Sequence, residues 1–119
     1  MTPSPQFSRE TFEDVTVVVA SGEIDVANVN EFKAFLENSA DVDGPGLVVD
    51  LTRTTYFDSR TIATLADFST RMRITRQRLA IVISQDGFGG RLLRIAGMTM
   101  VIPTLTELKD AVSVVKHTA

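Results

Sequence analysis

Few residues in this chain could do chemistry, and the most informative is a lone serine. The run Leu47-Val-Val-Asp-Leu-Thr-Arg-Thr-Thr-Tyr-Phe-Asp58-Ser59 reads as an apolar strand entering a turn that delivers Ser59 to a helix start. From Ser59 onward the apolar spacing is helical, with Ile62, Leu65, Ala66, Ser69 and Met72 on one face. Ser59 is expected as the N-cap, its hydroxyl at the positive end of the helix dipole. The other candidates are two carboxylates. Asp25 closes the loop Gly22-Glu-Ile-Asp25, and Asp58 immediately precedes the serine.

Several chemistries can be set aside. A serine hydrolase needs a base beside the hydroxyl, an orienting carboxylate and an oxyanion hole. The only histidine is His117, near the end of the chain, and no G-x-S-x-G elbow surrounds Ser59. A phosphate-cradling P-loop fares no better, because Gly87-Phe-Gly-Gly90 lacks the G-x-x-x-x-G-K-S/T spacing. Those glycines are expected to make a tight turn. Asp25 and Asp58 form only a pair of carboxylates, too few ligands for a metal, so no metal or other cofactor is expected. Capping and loop hydrogen bonding are an equal use for both. What remains is Ser59 as an acceptor of modification. A phosphate there adds about −1.5 to −2 charges at an exposed helix start that tolerates them. Such a group would act on binding rather than on shape. A plain capping serine is the simpler use of the same residue.

Composition fits this reading. The 119 residues suit one domain over 1–119, with residues 1–6 expected to be flexible. Hydrophobic residues make up 44% and charged residues 23%, ordinary for a globular protein. There is no cysteine, which removes disulfides, thiolate metal sites and cysteine nucleophiles. No apolar run approaches the ~20 residues needed to span a bilayer, and Met1-Thr-Pro-Ser-Pro lacks the features of a signal peptide. A cytoplasmic protein with no membrane partner is expected.

The net charge of −3 conceals an asymmetry. Residues 1–50 carry two basic and ten acidic side chains, whereas residues 51–119 carry ten basic and five acidic ones. The basic half includes Arg71, Arg73, Arg76 and Arg78. No aromatic residues interleave with them, so a cationic helix end complementing its own dipole is the preferred reading, and no nucleic-acid partner is expected.

The elements that must position these residues alternate. Phe7 to Thr11 reads as a short edge strand, Glu13-Asp14 as a turn, and Val15 to Ala20 as a β-branched strand, together an antiparallel hairpin. Ser21 to Asp25 is expected to break that strand and begin a loop. Val29, Phe32 and Leu36 mark a first helix that ends before the turn Asp41 to Gly46. Leu47 to Leu51 and Leu79 to Ile83 are continuous apolar runs, expected as buried strands. The helix from Ser59 runs to about Ile74. After the turn Asp86 to Gly90 comes a short helix over Arg91 to Ala96, capped by Gly97 with Met98 beyond it. Met100 to Ile102 is expected as a short strand, and Leu108, Ala111, Val112 and Val115 as the core face of a last helix. This order predicts an α/β fold: a mixed, mainly parallel sheet of four to five strands with about four helices and an initial antiparallel hairpin. Function is then expected in the loops at the carboxyl ends of the strands, with Asp25, Asp58 and Ser59 in one polar patch if their strands are neighbours.

Three segments resemble the STAS domain, the family of bacterial anti-sigma factor antagonists. Ser21-Gly-Glu-Ile-Asp25 is similar to the family's G-E-L/I-D loop. Val48 to Ser59 is similar to V-x-D-L-x-x-V-x-F/Y-I/M-D-S, and Leu92-Leu-Arg-Ile-Ala-Gly97-Met98 to the helix end L-x-x-x-G-L/M. The order of elements agrees from about residue 7 to residue 115. The resemblance implies a binding module without catalysis of its own. Its partner would be an anti-sigma factor with serine kinase activity that phosphorylates Ser59. Unmodified antagonist would capture that factor, phosphorylated antagonist would release it, and a phosphatase would reset the switch. The sequence departs from the family where D-S-S-G-L-G becomes Asp58-Ser59-Arg60-Thr61-Ile62-Ala63. Arg60 would either pair with a phosphate on Ser59 or obstruct a standard kinase, and both substitutions alter the surface offered to a partner. Phe88, in a loop that also departs from the family, is either an exposed partner anchor or a buried turn aromatic. The expected partner-facing set is thus Asp25, Asp58, Ser59, Arg60, Thr61 and Phe88. Two other functions fit the same chain: a non-phosphorylated scaffold subunit of a transport or stress-sensing complex, and a small enzyme or nucleotide-binding protein using the glycine-rich turn. Oligomeric state is not legible.

Overall fold

The computed structural model describes residues 5–117. Of the N-terminal residues expected to be flexible, the first four lie outside the described residues. Gln6 is held by side-chain and backbone hydrogen bonds to Glu23 and Ser21.

β1 (Phe7–Phe12) and β2 (Val15–Ile24) form the antiparallel hairpin, with Phe12 opposite Val15. Its two turn residues, Glu13 and Asp14, both have positive φ, 49° and 68°, the twist that a two-residue hairpin requires. α1 (Val29–Ser39), β3 (Gly46–Phe57), α2 (Ser59–Ile74), β4 (Arg78–Val82), α3 (Phe88–Ile95), β5 (Thr104–Leu105) and α4 (Leu108–Lys116) follow. The strands lie in the order β1-β2-β3-β4-β5, with every pair after the hairpin parallel. The fold is α/β, with a five-stranded mixed sheet and four α-helices, as the alternating pattern predicts.

The apolar runs that showed no alternation are explained by burial on both sheet faces. Val18, Ala20, Leu47, Val49, Leu51, Leu79 and Ile81 pack against Phe32 and Leu36 of α1, Leu65 and Met72 of α2 and Leu93 of α3. Val15, Val17, Val19, Val48, Ala80 and Val82 face the other way, onto Ala111, Val112 and Val115 of α4. Three helices therefore cover one face and a single helix the other. Each fully buried side chain of this size contributes about 1.5–3 kcal/mol.

Four expectations are corrected. β2 does not break at Ser21 but runs to Ile24, because Gly22 adopts φ 71° and two register shifts against β3 absorb the irregularity. β3 continues well past Leu51, to Phe57, because β2 supplies pairing partners as far as Ile24. α3 begins at Phe88 rather than Arg91, so Gly89 and Gly90 are helical and not part of a tight turn. Their lack of side chains serves packing: a Cβ on Gly89 would lie 2.8 Å from the Phe57 ring, and one on Gly90 2.6 Å from Ile83 Cδ1. Finally, Met98–Met100 is a 3₁₀ turn, and the last strand is Thr104–Leu105, beside Ile81 and Val82. Gly97, at φ 76°, ends α3 as expected, and Met98 beyond it is buried.

Candidate functional site

The parallel register of β2 and β3 brings the two acidic loops together. Ile24 pairs with Phe57, so the residues that follow them, Asp25 and Asp58, leave the sheet side by side at its carboxyl end. β4 lies on the other flank of β3, and its loop carries Phe88 to the same end.

Each carboxylate is engaged in local structure. The Asp25 side chain accepts from the Ala27 amide at 2.9 Å, and the Asp25 amide donates to the Asn28 side chain at 2.9 Å. Asn28 in turn donates to the Glu23 carbonyl at 2.8 Å, fixing the entry into α1. Asp58, not Ser59, is the N-cap of α2: its backbone is extended and its carboxylate accepts from the Arg60 amide at 3.0 Å. The second carboxylate oxygen accepts from the Arg60 guanidinium at 2.9 Å. With Asp58 extended immediately before the first helical residue, its carboxylate meets the Arg60 amide and adds the negative charge that the helix N-terminus favours.

Ser59 is consequently the first residue inside α2. It is exposed, and none of the described hydrogen bonds uses its hydroxyl. Arg60 is exposed beside it. Thr61 differs from expectation: it is fully buried, and its hydroxyl has no hydrogen-bond partner among the described residues, so it faces the interior rather than a docking surface. Phe88 is 48% exposed and stacks on Tyr56 at 5.8 Å with the rings 17° apart, while meeting Phe57 edge-on at 5.7 Å. Tyr56 is itself 42% exposed. Tyr56 is not among the site residues expected from sequence; its signal is a large aromatic beside buried Phe57, just before the Asp58-Ser59 pair.

The assembled surface thus holds a free hydroxyl, an ion pair, a second carboxylate and a two-ring aromatic platform. Among the described residues no group of histidine and carboxylate side chains has the arrangement of a metal site. No described helix is long and apolar enough to cross a membrane.

Comparison with solved structures places this arrangement in a known fold. An anti-sigma factor antagonist from Mycobacterium paratuberculosis is 23% identical and superposes with a TM-score of 0.82, over 92% of each chain. A proposed anti-sigma factor antagonist from Thermotoga maritima is 15% identical, with a TM-score of 0.81 over 93% of this chain and 95% of its own. The anti-sigma factor antagonist SpoIIAA, solved in its unphosphorylated form, is 13% identical, with a TM-score of 0.63 over 94% and 99%. At these identities the likeness is one of fold. No curated protein matches this chain significantly in sequence. The sequence profile of the STAS domain matches residues 6–111, nearly the whole chain, and this protein belongs to the STAS domain family.

Proposed function

We propose that this protein is an anti-sigma factor antagonist. It captures an anti-sigma factor that has serine kinase activity and is released when that partner phosphorylates Ser59; a phosphatase restores the captured state. The antagonist acts in the cytoplasm as a binding module, without catalysis of its own. The observation that carries this reading is the availability of Ser59: Asp58 does the capping, so the exposed hydroxyl is free to accept a phosphoryl group without loss of a helix contact. The phosphate would stand at the positive end of α2, where the fold tolerates it, and beside Asp25 and Asp58, where it would change the charge that a docked partner meets.

The contact surface in this reading comprises Asp25, Asp58, Ser59, Arg60 and Phe88, extended by Tyr56 and by the open face of α2. Between that face and α1 lies a groove of about 440 Å³, lined in part by Lys33, Thr64 and Asp67. Thr61 contributes through packing only, because it is buried.

A second reading, a scaffold subunit that is never phosphorylated, is favoured by Arg60, whose cationic side chain sits beside the acceptor. Intact-mass measurement separates the two. The protein is incubated with ATP and each serine-kinase anti-sigma factor of its source genome. One phosphate, absent from Ser59→Ala, is expected. Unmodified mass with every kinase would leave the scaffold reading in its place.

A further inference from the structure

The four arginines near the end of α2 are not used by the site at Ser59. At 1.5 Å per residue, Arg73 lies about 21 Å along the helix from Ser59. Arg71 is paired with Glu37 at 3.6 Å, so the negative end of α2 already has a compensating cation held in place. Arg73 and Arg78 make no ion pair and no side-chain hydrogen bond among the described residues, yet both line one cavity of about 290 Å³. Arg78 opens β4 and is not on a helix, so the helix dipole does not account for it. Two arginines lining one cavity with no carboxylate among its lining residues bring like charge together, and an anion in that space offsets the repulsion.

The remaining walls fit such an occupant. Ser69 lies one helical turn before Arg73, on the same stripe of α2, and is 4% exposed. None of the described hydrogen bonds uses its hydroxyl, and it lines the same cavity. Leu79 and Ile102 form a buried apolar floor, and Met100, 89% exposed, stands at the rim.

We propose that this cavity binds the phosphate group of a small phosphate monoester, presented by a free metabolite or by a lipid headgroup. Two cations match the charge of about −1.5 to −2 on a monoester at neutral pH, whereas a carboxylate would leave one unpaired. Guanidinium groups grip phosphate oxygens bidentately, and the serine hydroxyl donates a further bond. The volume admits the phosphate with a body of a few carbons, and the apolar floor and rim suit an uncharged body. This site is independent of Ser59 and of the anti-sigma reading.

The test is an amide NMR titration with glycerol 3-phosphate at constant ionic strength, with sedimentation on vesicles as a second arm. Saturating shifts are expected at Ser69, Arg73, Arg78 and the segment 99–102. Arg73→Gln and Arg78→Gln should weaken binding at least tenfold, and Arg91→Gln should leave it unchanged. Saturation by the soluble ester assigns the free metabolite. Sedimentation with phosphatidic acid vesicles, but not with phosphatidylglycerol vesicles, abolished by Arg78→Gln and without soluble binding, assigns the lipid headgroup. Shifts that never saturate and spread equally over Arg76, Arg91 and Arg94 would overturn the proposal, as would an absence of binding in both arms.

Discussion

The Arg60 guanidinium donates to the Asp58 carboxylate at 2.9 Å, and the residue between them in sequence is Ser59. A cation at the second position of a helix opposes the dipole, so the pair with Asp58 offsets an intrinsic penalty. The two charged residues are thereby occupied with each other and with the cap, leaving the serine between them uncommitted. Exposed pairs of this kind contribute no more than about 1 kcal/mol, so Arg60 can exchange Asp58 for a nearby phosphate at small cost.

Asp58 is expected to matter for stability through its cap. Asp58→Ala removes the acceptor for the Arg60 amide and should cost about 1 kcal/mol, whereas Asp58→Asn should keep most of it. Urea unfolding midpoints at equal slope provide the comparison; equal losses in both variants would mean that charge, not capping geometry, is what Asp58 supplies.

Thr61 has a buried hydroxyl with no partner. Thr61→Val preserves shape and removes a desolvated polar group, so it should raise stability by about 1 kcal/mol. Chemical denaturation reads this directly. A loss of similar size would show that the hydroxyl is hydrogen-bonded in solution.

Gly46 is held at φ 151°, and a Cβ there would lie 1.9 Å from the Arg78 carbonyl oxygen. Because the obstacle is the backbone of the neighbouring strand, it cannot rotate away. Gly46→Ala should destabilise by about 3 kcal/mol or more, or prevent folding, as seen by thermal denaturation. A variant with an unchanged melting temperature would contradict the strand pairing at this position.

Phe88 is half exposed and rests on Tyr56 and Phe57. Phe88→Ala should cost clearly less than the roughly 3–5 kcal/mol of a fully buried phenylalanine. In the proposed contact surface its loss should nevertheless weaken partner binding by tenfold or more, a result that calorimetry with the partner would give.

Much of this was legible in the sequence where one physical signal dominated. The bounds of α2 follow from its apolar period and from the polar residues at its start, and the two-sided burial of β3 and β4 from their unbroken apolar runs. The signal failed where residues serve a neighbour rather than their own element. Thr52 to Thr55 look like a loop, but β2 pairs with Arg53 and Thr54 through Ser21 and Gly22, and the strand runs on across both register shifts. Gly89 and Gly90 look like a turn, but they are small because Phe57 and Ile83 press against them. Met100 to Ile102 have a strand's composition, yet the left-handed Gly97 sends the chain into a 3₁₀ turn first. At the site, the neighbouring positions of Asp25 and Asp58 followed once β2 and β3 were adjacent. The capping residue was misplaced by one position, because aspartate and serine both cap and only the backbone geometry decides between them. Thr61 stands four residues before Leu65 and eleven before Met72, on the buried stripe of α2, and its polar type hides it from an apolar pattern.

The most direct measurement is the affinity of the cognate anti-sigma factor for the unmodified protein, Ser59→Ala, and protein stoichiometrically phosphorylated on Ser59. The alanine variant is expected to bind as the unmodified protein does, and the phosphorylated form at least tenfold more weakly, about 1.4 kcal/mol. Equal affinity of the phosphorylated and unmodified forms would contradict it.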